Sequence, residues 1–137
     1  MGDLSKRLSR YEVACKCGCG FATADIELVN ALEACADHFA QQLSLASRII
    51  IHINSWCRCP VHNRHEKGHR TSEHLEGTAA DFWLEGEDES GKRFKIDDKF
   101  IHAYLIAAYP DRYGIGRYHG RTHLDVRTNG PSRWDKT

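Results

Sequence analysis

The sequence predicts an α+β domain, a small antiparallel sheet with helices packed on one side. Three observations lead there. Leu28, Leu32, Cys35, Phe39 and Leu43 recur near helical period in one segment, and a second helical stripe lies near residue 100. Two short runs rich in β-branched and aromatic residues, Arg48 to Asn54 (RIIIHIN) and Thr78 to Leu84 (TAADFWL), flank a polar stretch. Finally, Gly114 to Tyr118 and Thr122 to Arg127 read as a hairpin around His119-Gly120-Arg121. The helices are separated by strands in mixed order, without regular βαβ alternation.

The first helix is expected from about Ala24 to Gln42, with Thr23 or Asp25 as its cap and Asp25 and Glu27 at its positive end. RIIIHIN is a mostly buried strand. The residues from Ser55 to Gly77 are polar, rich in His and Gly, and too many for a plain connector; such loops usually carry function. Thr78 to Leu84 forms the second strand, and Glu85 to Gly91 an acidic turn. Asp97 caps a second helix with Phe100, Ile101, Tyr104, Leu105 and Ala108 on one face and Pro110 at its end. Residues 128–137 (TNGPSRWDKT) have no periodic signal and read as an irregular tail. Residues 1–23 are a cysteine-containing N-terminal segment, with a tight turn from Cys15 to Gly20. No repeat or linker divides the chain, so one domain is expected over residues 1–137.

Lysine plus arginine total 19 and aspartate plus glutamate total 19, so the formal charge is zero, which argues against a nucleic-acid partner. No apolar run approaches the roughly 20 residues of a membrane span, so no membrane insertion is expected. The first residues lack an apolar stretch of the secretory type, which places synthesis in the cytoplasm. A monomer is expected. Six cysteines are too sparse for a disulfide scaffold, whereas nine histidines direct attention to metal chemistry.

Strand parity sorts the candidates. His123, Asp125 and Arg127 share one face of their strand, opposite Leu124 and Val126, while Asp81 shares a face with Ala79 and Trp83. His74 lies in the loop before the second strand. His74, Asp81 and His123 together offer two imidazoles and one carboxylate, the ligand set of a catalytic zinc with its fourth position open to water. Such a zinc lowers the pKa of that water toward about 7. Asp125, two residues past His123 on the same face, is placed to move a proton. It is equally placed to accept a hydrogen bond from a ligand imidazole and fix its tautomer.

The segment Ser72 to Asp81 reads S-x-H-x-x-G-x-A-x-D, and His123-Leu124-Asp125 supplies a distal histidine. With Cys15 to Gly20 (CKCGCG), Ser55 to Asn63 (S-x-x-R-C-P-x-H-N) and Gly114 to Arg127 (G-I-G-R-Y…H-x-D-V-R), this order resembles the zinc D-Ala-D-Ala carboxypeptidase family of the Hedgehog/DD-peptidase fold group. The likeness is strongest toward its small phage- and prophage-encoded branch and covers nearly the whole chain. The resemblance implies a zinc metallopeptidase acting on peptidoglycan stem or cross-link peptides, as carboxypeptidase or endopeptidase, at the cell wall after release or within a virion. It makes His74, Asp81 and His123 the zinc ligands. Arg58 matches the family arginine that polarises the scissile carbonyl or holds the substrate carboxylate, and Ser72 falls among the substrate-binding positions. Gly77 lets the chain turn between the first ligand and the strand bearing the second.

The sequence departs from the wider family in two places. Its Ser-Gly-Tyr-Arg motif reads Ser55-Trp56-Cys57-Arg58, which implies an altered pocket wall. The acidic base that many relatives carry three residues before the distal histidine is Gly120, and the histidine that others carry two before is Arg121. Asp125 is therefore the expected general base, with His119 in reserve. An alternative is a catalytically silent zinc-binding module of the same fold. Cys15, Cys17 and Cys19, Cys57 and Cys59, and Cys35 leave open a structural zinc, disulfides or buried thiols; the last is the default for thiols, and no site is assigned to them.

Overall fold

The computed structural model describes residues 2–19, 24–43, 48–56 and 77–137. His74, Arg58 and Ser72, together with Cys57, Cys59 and Thr23, lie outside the described residues. The elements run in the order α1 (Arg10–Val13), α2 (Ile26–Leu43), β1 (Arg48–Ser55), β2 (Ala79–Glu87), β3 (Arg93–Lys95), α3 (Asp98–Ala108), β4 (Gly114–Tyr118), β5 (Arg121–Asp125) and β6 (Ser132–Asp135).

The strands form one sheet in the order β1-β2-β5-β4-β6, with β3 paired to β2 beside that path. All pairings are antiparallel except β4 with β6, which is parallel, so the sheet is mixed within the expected α+β class. The parallel strand is built from the segment read as an irregular tail. Its residues Ser132, Arg133, Trp134 and Asp135 are polar or amphipathic on both faces and give no alternation to read. The second strand also runs further than expected, through Glu85 to Glu87. Those carboxylates are matched across strands, Glu87 by Arg48 and Arg93 at 2.7 and 2.8 Å and Glu85 by His52 at 3.0 Å. The turn of the acidic segment is confined to Asp88 and its neighbours, where the Asp88 carboxylate accepts from the backbone N–H groups of Ser90 and Lys92.

Asp25 takes the cap of α2, accepting from the Glu27 N–H at 2.8 Å, and Asp97 caps α3 through Lys99 at 3.0 Å. The stripe of α2 is buried as expected at Leu28, Leu32, Cys35 and Phe39. On α3 the buried face is narrower than expected. Ile101 and Leu105 are buried and Tyr104 packs against the core, but Phe100 and Ala108 turn to solvent. These helices lie against Ile49, Ile51, Phe82, Leu84, Ile115 and Leu124 in one hydrophobic core. All six come from a single face of the sheet, so the opposite face is left to carry polar side chains.

The N-terminal segment is tied to α2 through Glu33. Its carboxylate accepts from Ser5 Oγ at 2.6 Å and from the Arg7 backbone N–H at 2.7 Å, and pairs with the Arg7 guanidinium at 2.7 Å. Trp56, of the Ser55-Trp56-Cys57-Arg58 motif, is fully buried in the core, and its Nε1 donates to the Gly77 carbonyl at 2.8 Å. The same carbonyl accepts from the Asp25 N–H. Gly77 has φ of 71°, a left-handed turn that glycine adopts without strain, so one residue joins the ends of β1, β2 and α2. Among the described residues no helix is long and apolar enough to cross a membrane.

A second tie links the hairpin to α2. The Tyr113 hydroxyl donates to Glu27, and burial, followed by this hydrogen bond, pushes the phenol up to about 12. Replacing Tyr113 with phenylalanine keeps the ring and removes the tie. Chemical denaturation is expected to show a loss of about 1 kcal/mol, and an unchanged midpoint would contradict the role given to this bond.

Candidate metal centre

The site is assembled by register. Asp81 on β2 is directly opposite His123 on β5, and His123 is directly opposite Gly116 on β4, which faces Trp134 on β6. One row crosses four strands and puts carboxylate, imidazole, hydrogen atom and indole side by side on the face away from the helices. The next row holds Ala79, Asp125, Gly114 and Ser132. The expected parity of His123, Asp125 and Asp81 thus holds. The structure brings these three together, and His119 lies exposed in the β4–β5 turn.

Both nitrogens of the His123 ring meet carboxylates, Nδ1 with Asp81 Oδ1 at 2.9 Å and Nε2 with Asp125 Oδ2 at 2.8 Å. Asp125 is fully buried. Its Oδ1 accepts from Arg127 Nε at 2.6 Å and its Oδ2 from Arg127 Nη2 at 2.7 Å, a two-pronged clamp. The backbone N–H groups of Gly114 and Arg127 add bonds to Oδ1 at 3.1 and 3.3 Å. Burial alone raises the Asp125 carboxyl, but Arg127 and then His123 outweigh it and hold it well below the usual carboxylate range. A carboxylate so enclosed is a poor proton acceptor near neutral pH, so the geometry favours the orienting role over that of general base.

Burial also disfavours a charged His123, yet the hydrogen bonds its ring N–H groups donate to Asp125 and Asp81 prevail and raise its pKa above the ordinary value. The charge arithmetic gives the reason. Asp81, Asp125 and Arg127 sum to one negative charge, which an imidazolium neutralises. A divalent cation held by Asp81 and a neutral His123 would replace that proton and leave the group with one positive charge.

The donors fit such a cation. Both carboxylates accept; with a cation taking the place of the proton between Nδ1 and Asp81, a neutral His123 would keep its proton on Nε2, facing Asp125. A tetrahedral zinc with bonds of about 2.0–2.1 Å to nitrogen and oxygen requires those two ligand atoms about 3.3 Å apart. The 2.9 Å separation of Nδ1 and Oδ1 is within about 0.4 Å of that value.

Close packing fixes the clamp. A Cβ at position 114 would collide with the Asp125 carboxylate, and one at position 116 with the Trp134 indole. Trp134 lies beside the imidazole with ring centroids 5.0 Å apart, and its Nε1 donates to the Tyr118 hydroxyl at 2.7 Å. On the other flank, Trp83 lies two residues from Asp81 on the same face and stacks on His52 at 4.0 Å, with Lys95 Nζ 5.3 Å from its ring. Sequence reasoning assigned no role to Arg127, Trp134 or the His52–Trp83 stack. Arg127 had a readable signal, since it shares strand parity with Asp125; Trp134 had none, because β6 was not recognised.

A buried imidazole set between two carboxylates is a donor set of the kind that can hold a metal. A family model described as Peptidase M15 matches residues 6–125, and the chain belongs to that family, whose members are zinc peptidases. The match supports the resemblance to the zinc D-Ala-D-Ala carboxypeptidases. No curated protein and no solved structure gives a significant match.

Two consequences are measurable. In metal-free protein, the raised His123 value makes a stabilising contribution that is fully present below about pH 6.5 and is lost as the pH rises through the folded-state value. Thermal unfolding from pH 5 to 9 is expected to show this decline, with a shallower slope in Asp125→Asn; equal slopes would contradict it. Gly114→Ala forces the Asp125 carboxylate from its clamp, and a stability loss of about 1–3 kcal/mol is expected by denaturant titration, whereas a neutral substitution would contradict the close packing.

Proposed function

We propose that the protein is a zinc-dependent peptidoglycan peptidase that hydrolyses stem or cross-link peptides, as a D-Ala-D-Ala carboxypeptidase or an endopeptidase. The observation that carries this reading is the direct opposition of Asp81 and His123 across β2 and β5, with Asp125 fixing the imidazole from behind. Membership of a zinc peptidase family supports it. When bound, zinc supplies Lewis-acid polarisation and a nucleophile available near neutral pH.

The residues then take the following roles. Asp81 and Nδ1 of His123 hold the metal, and His74, in its S-x-H-x-x-G-x-A-x-D motif, is the third ligand. Asp125 accepts the Nε2 proton and keeps the ring aligned, while Arg127 holds the Asp125 charge in place. Asp125 is thus a positioning residue here rather than the proton shuttle. Arg58 steadies the oxygen of the scissile carbonyl or the substrate carboxylate, and Ser72 contacts the substrate; both roles rest on the motif. Trp134 and the Trp83–His52 stack flank the Asp81–His123 pair on its two sides and would form walls for a peptide. Action at the cell wall, after release or from a virion of a phage or prophage, follows from the same resemblance.

One observation favours a second reading, a silent zinc-binding module of the same fold. Asp125 is committed to Arg127 and His123, and the position three residues before His123 is Gly120. The two readings separate in one assay. Zinc-loaded protein and a chelator-treated sample are incubated with purified peptidoglycan fragments and the products weighed by mass spectrometry. Metal-dependent loss of terminal D-Ala, or a cut stem or cross-bridge, is the expected result. Asp125→Asn should lower the rate about 10–100-fold, through metal affinity or ring alignment. No cleavage across several wall chemistries, with zinc bound, would select the silent module.

A further inference from the structure

Outside the candidate metal centre, the described residues contain one other group of metal-capable side chains, the sulfurs of Cys15, Cys17 and Cys19, which all lie within 4.8 Å of one another. The Sγ atoms of Cys15 and Cys17 are 3.3 Å apart. The backbone explains how three thiols in five residues converge. The Gly18 N–H bonds to the Cys15 carbonyl at 3.2 Å, and Gly18 has φ of 83°, so the chain doubles back and returns Cys19 toward Cys15. In an extended strand, alternate side chains share a face but are spaced along it; the turn removes that spacing.

We propose that Cys15, Cys17 and Cys19 form a second metal site, a trithiolate that takes zinc or a similarly soft divalent cation and closes the N-terminal segment. Zinc–thiolate bonds of about 2.3 Å in a tetrahedron place sulfurs about 3.8 Å apart, between the 3.3 Å of the Cys15–Cys17 pair and the 4.8 Å within which all three sulfurs lie. Three thiolates supply three of four positions, and the fourth takes water or a further side chain. Binding releases the thiol protons to solvent, and no redox change is involved. Cys35 does not belong to the group. It is buried in the helical core, where desolvation pushes its thiol up to about 12 and keeps it protonated.

The placement gives the site a structural use. Cys15 is buried and follows Leu8 and Val13 into the core, while Cys17 and Cys19 are exposed. Beyond the four residues of α1, the described part of this segment has no regular element to hold its path; Glu33 fixes its first half, and a metal would fix its second. Structural zinc of this type contributes directly to folding. The inference is independent of the peptidase reading, because thiolates play no part in the Asp81–His123 centre.

Cobalt(II) is the probe, since thiolate ligands alone give it intense near-ultraviolet sulfur-to-metal charge transfer. The full-length chain, reduced and metal-free, is titrated with cobalt(II), and bound metal is counted by mass spectrometry. The expected result is a charge-transfer band in the native chain and in His123→Ala, with the band lost and bound cobalt reduced by about one equivalent in Cys17→Ser/Cys19→Ser. Both cysteines are exposed, and circular dichroism checks that the double variant remains folded; Cys17→Asp and Cys19→Asp, tested singly, keep a ligand oxygen and should weaken the band without abolishing cobalt binding. Absence of the band in native protein, or its persistence in the double variant, overturns the site. So does a purified chain whose mass shows Cys15, Cys17 or Cys19 locked in a disulfide that must be reduced before any metal binds. A failed peptidase assay with an intact band leaves this inference standing and rejects the other.

Discussion

The buried carboxylate of Asp125 is the constraint on which the metal-centre face depends. A fully buried anion is tolerable only when its charge and lone pairs are met, and here Arg127, His123 and two backbone N–H groups meet them. Much of the local architecture follows from that requirement. Ala79 and Gly114 flank Asp125 in register, and at 114 any side chain would occupy the carboxylate's space. Gly116, in the neighbouring row, leaves room for an indole to reach across from β6. The buried charge is in turn what orients His123 beside Asp81, itself buried.

The division of the sheet into an apolar and a polar face was legible, and so were the two strands that meet at the site. Alternation in TAADFWL and in THLDVR puts Asp81, His123 and Asp125 on one side with Phe82, Leu84 and Leu124 on the other. What alternation cannot report is register. That Asp81 faces His123 rather than Asp125 depends on how β2 and β5 slide against each other, which is set by the whole core. Between the two roles the sequence allows Asp125, proton transfer and orientation of the imidazole, alternation likewise cannot choose. Sequence places a carboxylate two residues from the histidine, but only packing shows it enclosed by Arg127 and the Gly114 N–H.

Elements stabilised by cross-strand charge or by edge pairing were the least legible. The extension of β2 through Glu87 relies on Arg48, His52 and Arg93, which come from two other strands. β3 has only three residues, all exposed, and β6 has no apolar face of its own. Yet β6 delivers Trp134 to the centre, so a segment without local structural preference ends beside the His123 imidazole. For the cysteines, spacing alone left several chemistries open, and it was the turn at Gly18 that gathered three of the sulfurs together.

The central claim is that Asp125 holds His123 with its proton on Nε2, so that Nδ1 faces Asp81 and the metal. Nitrogen-15 histidine spectra of the zinc-loaded protein test it most directly. The account predicts that His123 shows a protonated Nε2 and a metal-shifted Nδ1, and that this signature is lost in Asp125→Ala. A His123 whose Nδ1 carries the proton, or whose tautomer is indifferent to Asp125, would contradict it.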